Sequence, residues 1–237
     1  MNRRCDGLDF FRGAAIVLMV IFHFFYDLAM FGIVKIDTIH DPFWIAFRVI
    51  IVSMFLFAVG VSAYLANMPK IRTKKLFKRA FTIGIAAMII SFGSWLFYPK
   101  YWVYFGILHF IFVAGFAILP FLPHPKTSLV VAMVILLCSG LGLLHMHGLY
   151  ALAMQWFDLP RYTLDLVPFF PWFAVVLIGG AFGALGWYQT LFRFFSLRKG
   201  APFKQIIFLG RHALAIYLLH LPLLYGLVYA LSYIVVL

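Results

Sequence analysis

Apolar residues run along this chain in stretches far longer than the two-faced patterns of a water-soluble fold. A helix that crosses a bilayer needs about 20 mostly apolar residues. Seven stretches meet that need: roughly 10–32, 43–66, 79–97, 101–121, 127–147, 168–189 and 206–235. YPK separates the third from the fourth, and PFLPHPKT separates the fourth from the fifth; its prolines cannot continue a helix. The pattern predicts an all-α, polytopic transmembrane helix bundle of about seven spans. No 20–50-residue repeat and no long linker divides it, so residues 1–237 are expected to form a single domain. The connection at 148–167 is too short for a folded domain and long enough for a surface helix or lid.

Composition sharpens this picture. Apolar residues make up 65% of the chain and charged ones 11%, less than half the roughly 25% of a soluble domain. That excludes a soluble globular domain, a disordered chain and a disulfide-stapled module. Cys5 and Cys138 lie in dissimilar settings, one in a polar tail and one in an apolar run, so no disulfide is expected. The first apolar run follows Arg3 and Arg4 as in a signal peptide, but no A-x-A-like site follows it, and it reads as a retained span.

Charge then sets an orientation. The net charge is +12, and all seven acids are Asp. If the spans alternate, Arg3, Arg4, the 67–79 connection, Lys126 and the 190–205 connection share one side. Thirteen Lys and Arg fall there, against Lys35, Lys100 and Arg161 on the other. The positive-inside rule puts the N-terminus in the cytoplasm. The same rule accounts for the basic character without nucleic acid, which needs a basic face on a soluble scaffold.

Ionisable groups inside apolar spans are costly and mark candidate sites. The first span holds the most. Arg12 and His23 are eleven residues apart, three turns plus about 20°, and so share a helix face about 16 Å apart along the axis. Asp27 lies one turn beyond His23, where its carboxylate can accept from the imidazole and orient it as a general base. Asp9 is three before Arg12 and can pair with it. The structural alternative is that Arg12 is an interfacial positive-inside residue and His23 a helix-contact hydrogen bonder. His109 and His220 are expected at a depth similar to His23, which suggests a polar cavity. No i,i+4 His pair or other ligand motif supports a metal, and none is expected. His145 and His147 sit at an expected outer helix end. In the last span Tyr217 and His220 share a face, Pro222 kinks the helix beyond them, and Arg211 and His212 stand at its inner end. Gly179, Gly183 and Gly186 give the small-xxx-small spacing of close helix packing.

Four segments carry a family likeness: DGLDFFRGAAIVLMVIFHFFYDLAMFG, YFGILHFI, DLVPFFPWFAVVLIGGAFG and LGRHALAIYLLHLP. Together they resemble small bacterial membrane proteins similar to the catalytic domain of heparan-α-glucosaminide N-acetyltransferase. These belong to a wider group of transmembrane acyltransferases that includes the acyltransferase-3 family. The resemblance runs from the first span to the last. It implies an enzyme of the bacterial inner membrane that moves an acyl group, most often acetyl, from acetyl-CoA to an extracytoplasmic acceptor such as a sugar or glycoconjugate. In acyltransferase-3 proteins the R-x10-H pair is tied to acyl-CoA use, and it maps to Arg12 and His23. In the heparan-acetylating enzyme an Asn stands at the His23 position and the catalytic His follows in the next outer segment. His40, between Asp37 and Asp41, is the nearest candidate for that role.

The resulting expectation is acyl transfer with His23 as base, Asp27 as its orienting partner and His40 as the alternative at the outer rim. Arg12, Arg211 and His212 are expected to hold CoA phosphates, and Tyr217, His220 and His109 to line the acyl group. The chain is shorter than the enzymes it resembles, which leaves a homo-oligomer as one way to complete an acceptor site. The rival class is a transporter or lipid-binding protein that uses the same histidines as a proton relay. No inverted repeat or paired broken spans support that rival.

Overall fold

Backbone groups in lipid must be satisfied within their own segment, which leaves helices for a chain this apolar. A computed structural model describes residues 5–144, 146–196 and 200–235. Arg3, Arg4, His145, Arg198 and Lys199, named above, lie outside the described residues. The helices are α1 (Asp6–Met30), α2 (Pro42–Asn67), α3 (Thr73–Phe97), α4 (Ile107–Ala117), α5 (Pro125–Gly140), α6 (His147–Phe157), α7 (Phe169–Ala184), α8 (Trp187–Ser196), α9 (Ala201–Arg211) and α10 (Ala213–Val235), with a 3-10 turn at Leu119–Phe121. Among the described residues there is no strand, and a single bridge joins Phe105 to Leu166.

Local chemistry sets the ends. α1 stops where Gly32 takes φ 71°, and the Ile33 N–H then reaches back to Leu28 O, the left-handed stop that glycine supplies. α2 begins behind Asp41, whose Oδ1 accepts the Phe43 N–H at 2.8 Å, with Pro42 in the first-turn position that proline favours.

Among the described residues, four helices are long and apolar enough to cross a membrane: α1, α2, α3 and α10. A fifth span results if α7 and α8 count as one, although they meet at 91°. The difference from the expected seven lies in the later stretches. The 101–121 stretch becomes an 11-residue helix, about 16 Å long, because residues 101–106 leave the helix to pair with 163–167. The 127–147 stretch is replaced by the 16-residue helix Pro125–Gly140, which stops seven residues short of its expected end. The 206–235 stretch breaks at His212 into α9 and α10. Gly186 is not a packing glycine. It carries φ 74° at the α7–α8 bend, while Gly179 and Gly183 abut Phe57 and Tyr64 of α2.

The chain forms two compact units. The first comprises Met1–Phe55 with Gln189–Leu237, and the second Leu56–Tyr188. In the first, Ile16, Met19, Phe22 and Ile51 are buried, with Trp44, Phe47, Leu209, Ile216 and Tyr217 packed around them. In the second, α7 is the buried helix, with Ala174, Val176 and Leu177 fully enclosed, and Ser128 of α5 donates to Leu177 O at 3.0 Å. Large apolar side chains of α3 such as Phe77, Phe81, Met88 and Phe92 are exposed, as a lipid-facing surface requires.

Candidate functional site

α1 presents two clusters of chemistry, both within the first unit. The upper one joins α1 to α10. His23 and His220 meet edge to face, their ring centroids 4.9 Å apart. Each ring is fixed by its own helix: His23 Nδ1 donates to Met19 O at 2.9 Å, and His220 Nδ1 donates to Tyr217 O at 2.7 Å. A carbonyl can only accept, so each Nδ1 carries the proton and each Nε2 is a lone pair in the neutral ring. His220 is buried, and its Nε2 has no hydrogen-bond partner. Phe22 packs edge-on against His23 at 5.4 Å, and the Tyr217 ring lies 5.6 Å from His220.

Asp27 does not take the part periodicity gave it. The proton that would reach it from His23 Nδ1 goes to Met19 O, and Asp27 Oδ2 is buried without a partner. One turn places the two residues on one face, but the main-chain carbonyl four residues before His23 competes for the same proton and holds it.

The lower cluster surrounds Asp9, which is 1% exposed. Arg12 Nη1 donates to its Oδ1 at 2.7 Å, and Arg211 Nε lies 3.6 Å from its Oδ2. Arg211 Nη2 also donates to Asp6 Oδ1 at 2.8 Å. Two Arg and two Asp therefore cancel in charge at the start of α1. Close helix approach builds this cluster. A Cβ on Gly210 of α9 would run into the Asp9 carbonyl, and a Cβ on Gly13 would run into the Ile206 carbonyl. His212 Nδ1 donates to Phe208 O at 2.9 Å, and its ring lies against Phe208 at 4.3 Å.

The other expected site residues lie elsewhere. His40 is in the α1–α2 connection, where Nδ1 meets Asp37 Oδ2 at 3.0 Å, and both side chains are exposed. The Asp37 carboxyl sits below its usual range because the backbone N–H groups of His40 and Ile39 donate to it. His109 belongs to the second unit. Its Nδ1 accepts the Gly106 N–H at 3.2 Å, so Nε2 carries the proton and donates to Ser91 Oγ at 3.0 Å. Ser91 in turn donates to Val103 O at 2.6 Å. Both ring nitrogens hold the α3–α4 corner together, and Asp165 Oδ2 caps α4 at the Ile107 N–H, 3.0 Å away. Asp6, Ser91 and Asp165 carry roles that no local motif signals, since their partners are distant in sequence.

The family model described as heparan-alpha-glucosaminide N-acetyltransferase, catalytic, matches residues 4–222. The chain belongs to this family. No curated protein and no solved structure matches it. The heparan-alpha-glucosaminide N-acetyltransferase family is one of acetyltransferases, and the long apolar helices make this member a membrane protein. The match takes in Asp9, Arg12, His23, His40, Arg211 and His220, so both clusters on α1 lie within it.

Proposed function

We propose that the chain transfers an acetyl group from acetyl-CoA on the cytoplasmic side to an amino or hydroxyl group of a sugar on the other side, with His23 as general base. The observation that carries this is the His23 ring itself. Its Nδ1–H is committed to Met19 O, which leaves Nε2 as a base on a membrane-spanning helix of an acetyltransferase family. A thioester is already activated, so the protein must remove a proton from the acceptor and hold the reactants in line. His23 Nε2 takes the acceptor's proton as its N or O bonds to the acetyl carbon. The C–S bond breaks, and the CoA thiolate leaves and is protonated.

Arg211 supplies the phosphate contact. Its side chain is 43% exposed and that of its present partner Asp6 is exposed as well. A CoA phosphate can replace Asp6 there, while Arg12 keeps Asp9 neutralised inside. The outer reading uses His40, whose pairing with Asp37 leaves its Nε2 facing water. Proton transfer there lacks the dry surroundings that strengthen electrostatic catalysis.

Purified chain incubated with radiolabelled acetyl-CoA and glucosamine tests the reading. Transfer of label to the sugar with release of free CoA thiol is expected. Neither product forming, with acetyl-CoA bound, would discard acetyl transfer in favour of a binding or transport role.

A further inference from the structure

The basic run between α2 and α3 has no acidic counterpart nearby. Lys70, Arg72, Lys74, Lys75, Lys78 and Arg79 fall within ten residues, and the chain carries no acid at all between Asp41 and Asp158. All six cationic residues are exposed. The second unit has two acids, Asp158 and Asp165, and Asp165 is spent at the opposite end of α4, on the Ile107 N–H. Lys74 and Lys75 stand in the first turn of α3 with no acid beside them, where a cation opposes the helix dipole. The positive-inside rule asks for cations on a connection and does not ask for them inside a helix. An anion from outside the chain is the charge complement of this cluster.

A crevice of about 390 Å³, open on one side, lies beside the same run and wholly within the second unit. Val59 and Ala63 of α2, Leu76 and Ile83 of α3, and Ile111 and Phe116 of α4 make it apolar, and its polar lining residues are Asn67 and Arg79. Asn67 spends its amide N–H on Ala63 O at 2.9 Å, so the charge at the crevice is that of Arg79. Asn67 closes α2 and Arg79 lies in the second turn of α3, so both mark the end next to the basic run. Lys75 stands one turn before Arg79 on the same face. From Asn67 to Val59 the crevice follows α2 for about 12 Å, close to the roughly 15 Å of hydrocarbon in one leaflet. Gly115 leaves room in it, since nothing lies within 4 Å of a Cβ there. Phe112, which also lines it, is 38% exposed, so the crevice reaches the surface that faces lipid.

We propose that this crevice seats one acyl chain of an anionic phospholipid, with the lipid phosphate held by Arg79 and Lys75. A trough that is apolar along its length and cationic at one end matches an anionic amphiphile. Its depth matches one leaflet, and its cationic end faces the leaflet that the positive-inside rule makes cytoplasmic, where anionic lipids gather. The rest of the basic run adds to the attraction for the head group. Acetyl-CoA fits less well, because only its short acetyl group could enter the apolar part. The proposal does not draw on the acetyl-transfer reading, and its test measures no transfer.

The test is the thermal stability of the delipidated full chain in detergent, with phosphatidylglycerol, with phosphatidylcholine of the same chains, or with inorganic phosphate. A ligand at a hundred times its Kd should raise Tm by about 5–10 °C for a chain of this size. Phosphatidylglycerol is expected to do so, by an amount that shrinks as salt rises. Phosphatidylcholine should do much less, and phosphate alone nothing. An equal rise with phosphatidylcholine, or with inorganic phosphate, would overturn the proposal. Gly115→Leu fills the crevice with a better helix former, so its lipid-free Tm should hold or rise while the phosphatidylglycerol effect is lost. Gly115→Leu with the wild-type lipid effect would place the lipid elsewhere and overturn the proposal. Lys75→Gln leaves the crevice intact and its side chain is not needed for packing. It should weaken phosphatidylglycerol binding about fivefold, the share of one cation near an anionic surface, without changing phosphatidylcholine binding. Unchanged phosphatidylglycerol affinity in Lys75→Gln would overturn the head-group assignment.

Discussion

The α1–α9 crossing makes a prediction of unusual sign. Gly→Ala inside a helix normally stabilises by about 1 kcal/mol, since alanine has the better propensity. At Gly13 and Gly210 the new methyl would collide with the Ile206 and Asp9 carbonyls, and with Gly13 N at the second site. These are backbone atoms of the facing helix and cannot rotate away. Overpacking costs roughly 1–3 kcal/mol, and the rigid obstacle puts both sites at the top of that range. Subtracting the propensity gain leaves a net loss of about 2 kcal/mol. For a chain of this size that is a fall in Tm of about 4–8 °C. Gly93 of α3 and Gly226 of α10 are internal controls, because nothing lies within 4 Å of a Cβ at either. Alanine there should raise Tm by about 2–4 °C. Heating detergent-solubilised protein and counting the monodisperse fraction that survives reads all four variants. Gly13→Ala or Gly210→Ala as stable as the controls would refute the close crossing, and with it the geometry that brings Arg211 to Asp9.

Further outcomes follow from the same contacts. Asp9→Asn removes a buried charge held between Arg12 and Arg211 and should cost about 2 kcal/mol, after discounting for the partly exposed guanidinium groups; an unchanged Tm would contradict it. Arg211→Ala should weaken acetyl-CoA binding several-fold while Asp6→Ala strengthens it, both effects shrinking as salt rises; isothermal titration giving the same sign for both would remove Arg211 from the donor site. The Asp37 carboxyl is held low by the His40 and Ile39 N–H groups, so the turn it ties is intact above the ordinary carboxylate range and opens as pH falls through the lowered value. A 13C titration of Asp37 with its midpoint at or above the ordinary value of about 3.9 would contradict that.

Continuous apolar runs made α1, α2 and α3 legible, because membrane length alone fixes them. The later helices were not, for physical reasons that periodicity does not carry. Residues 101–106 give up helix because Tyr101 O and Phe105 O take N–H groups from Leu164 and Val167, pairings some 60 residues away. The helix face shared by Arg12, His23 and Asp27 was visible, but not which groups would win their protons. A main-chain carbonyl displaced Asp27 from His23, and α10 supplied the second imidazole. Asp9 was legible as a partner of Arg12. Its contact with Arg211 depends on two glycines, one in each helix, that mark the crossing only once both helices are placed. His109 looked like a mid-span group because 101–121 looked like one span, and it instead fastens a corner.

Rates of acetyl transfer to glucosamine in wild type, His23→Ala and His40→Ala test the central claim most directly. His23→Ala should lose about 10²–10⁴-fold in kcat, the share of a general base, with acetyl-CoA affinity nearly unchanged. His40→Ala should stay near wild type, since its exposed ring is held by Asp37 alone. The reverse pattern, with His40→Ala inactive and His23→Ala near wild type, would move the chemistry to the α1–α2 connection and contradict the assignment of His23.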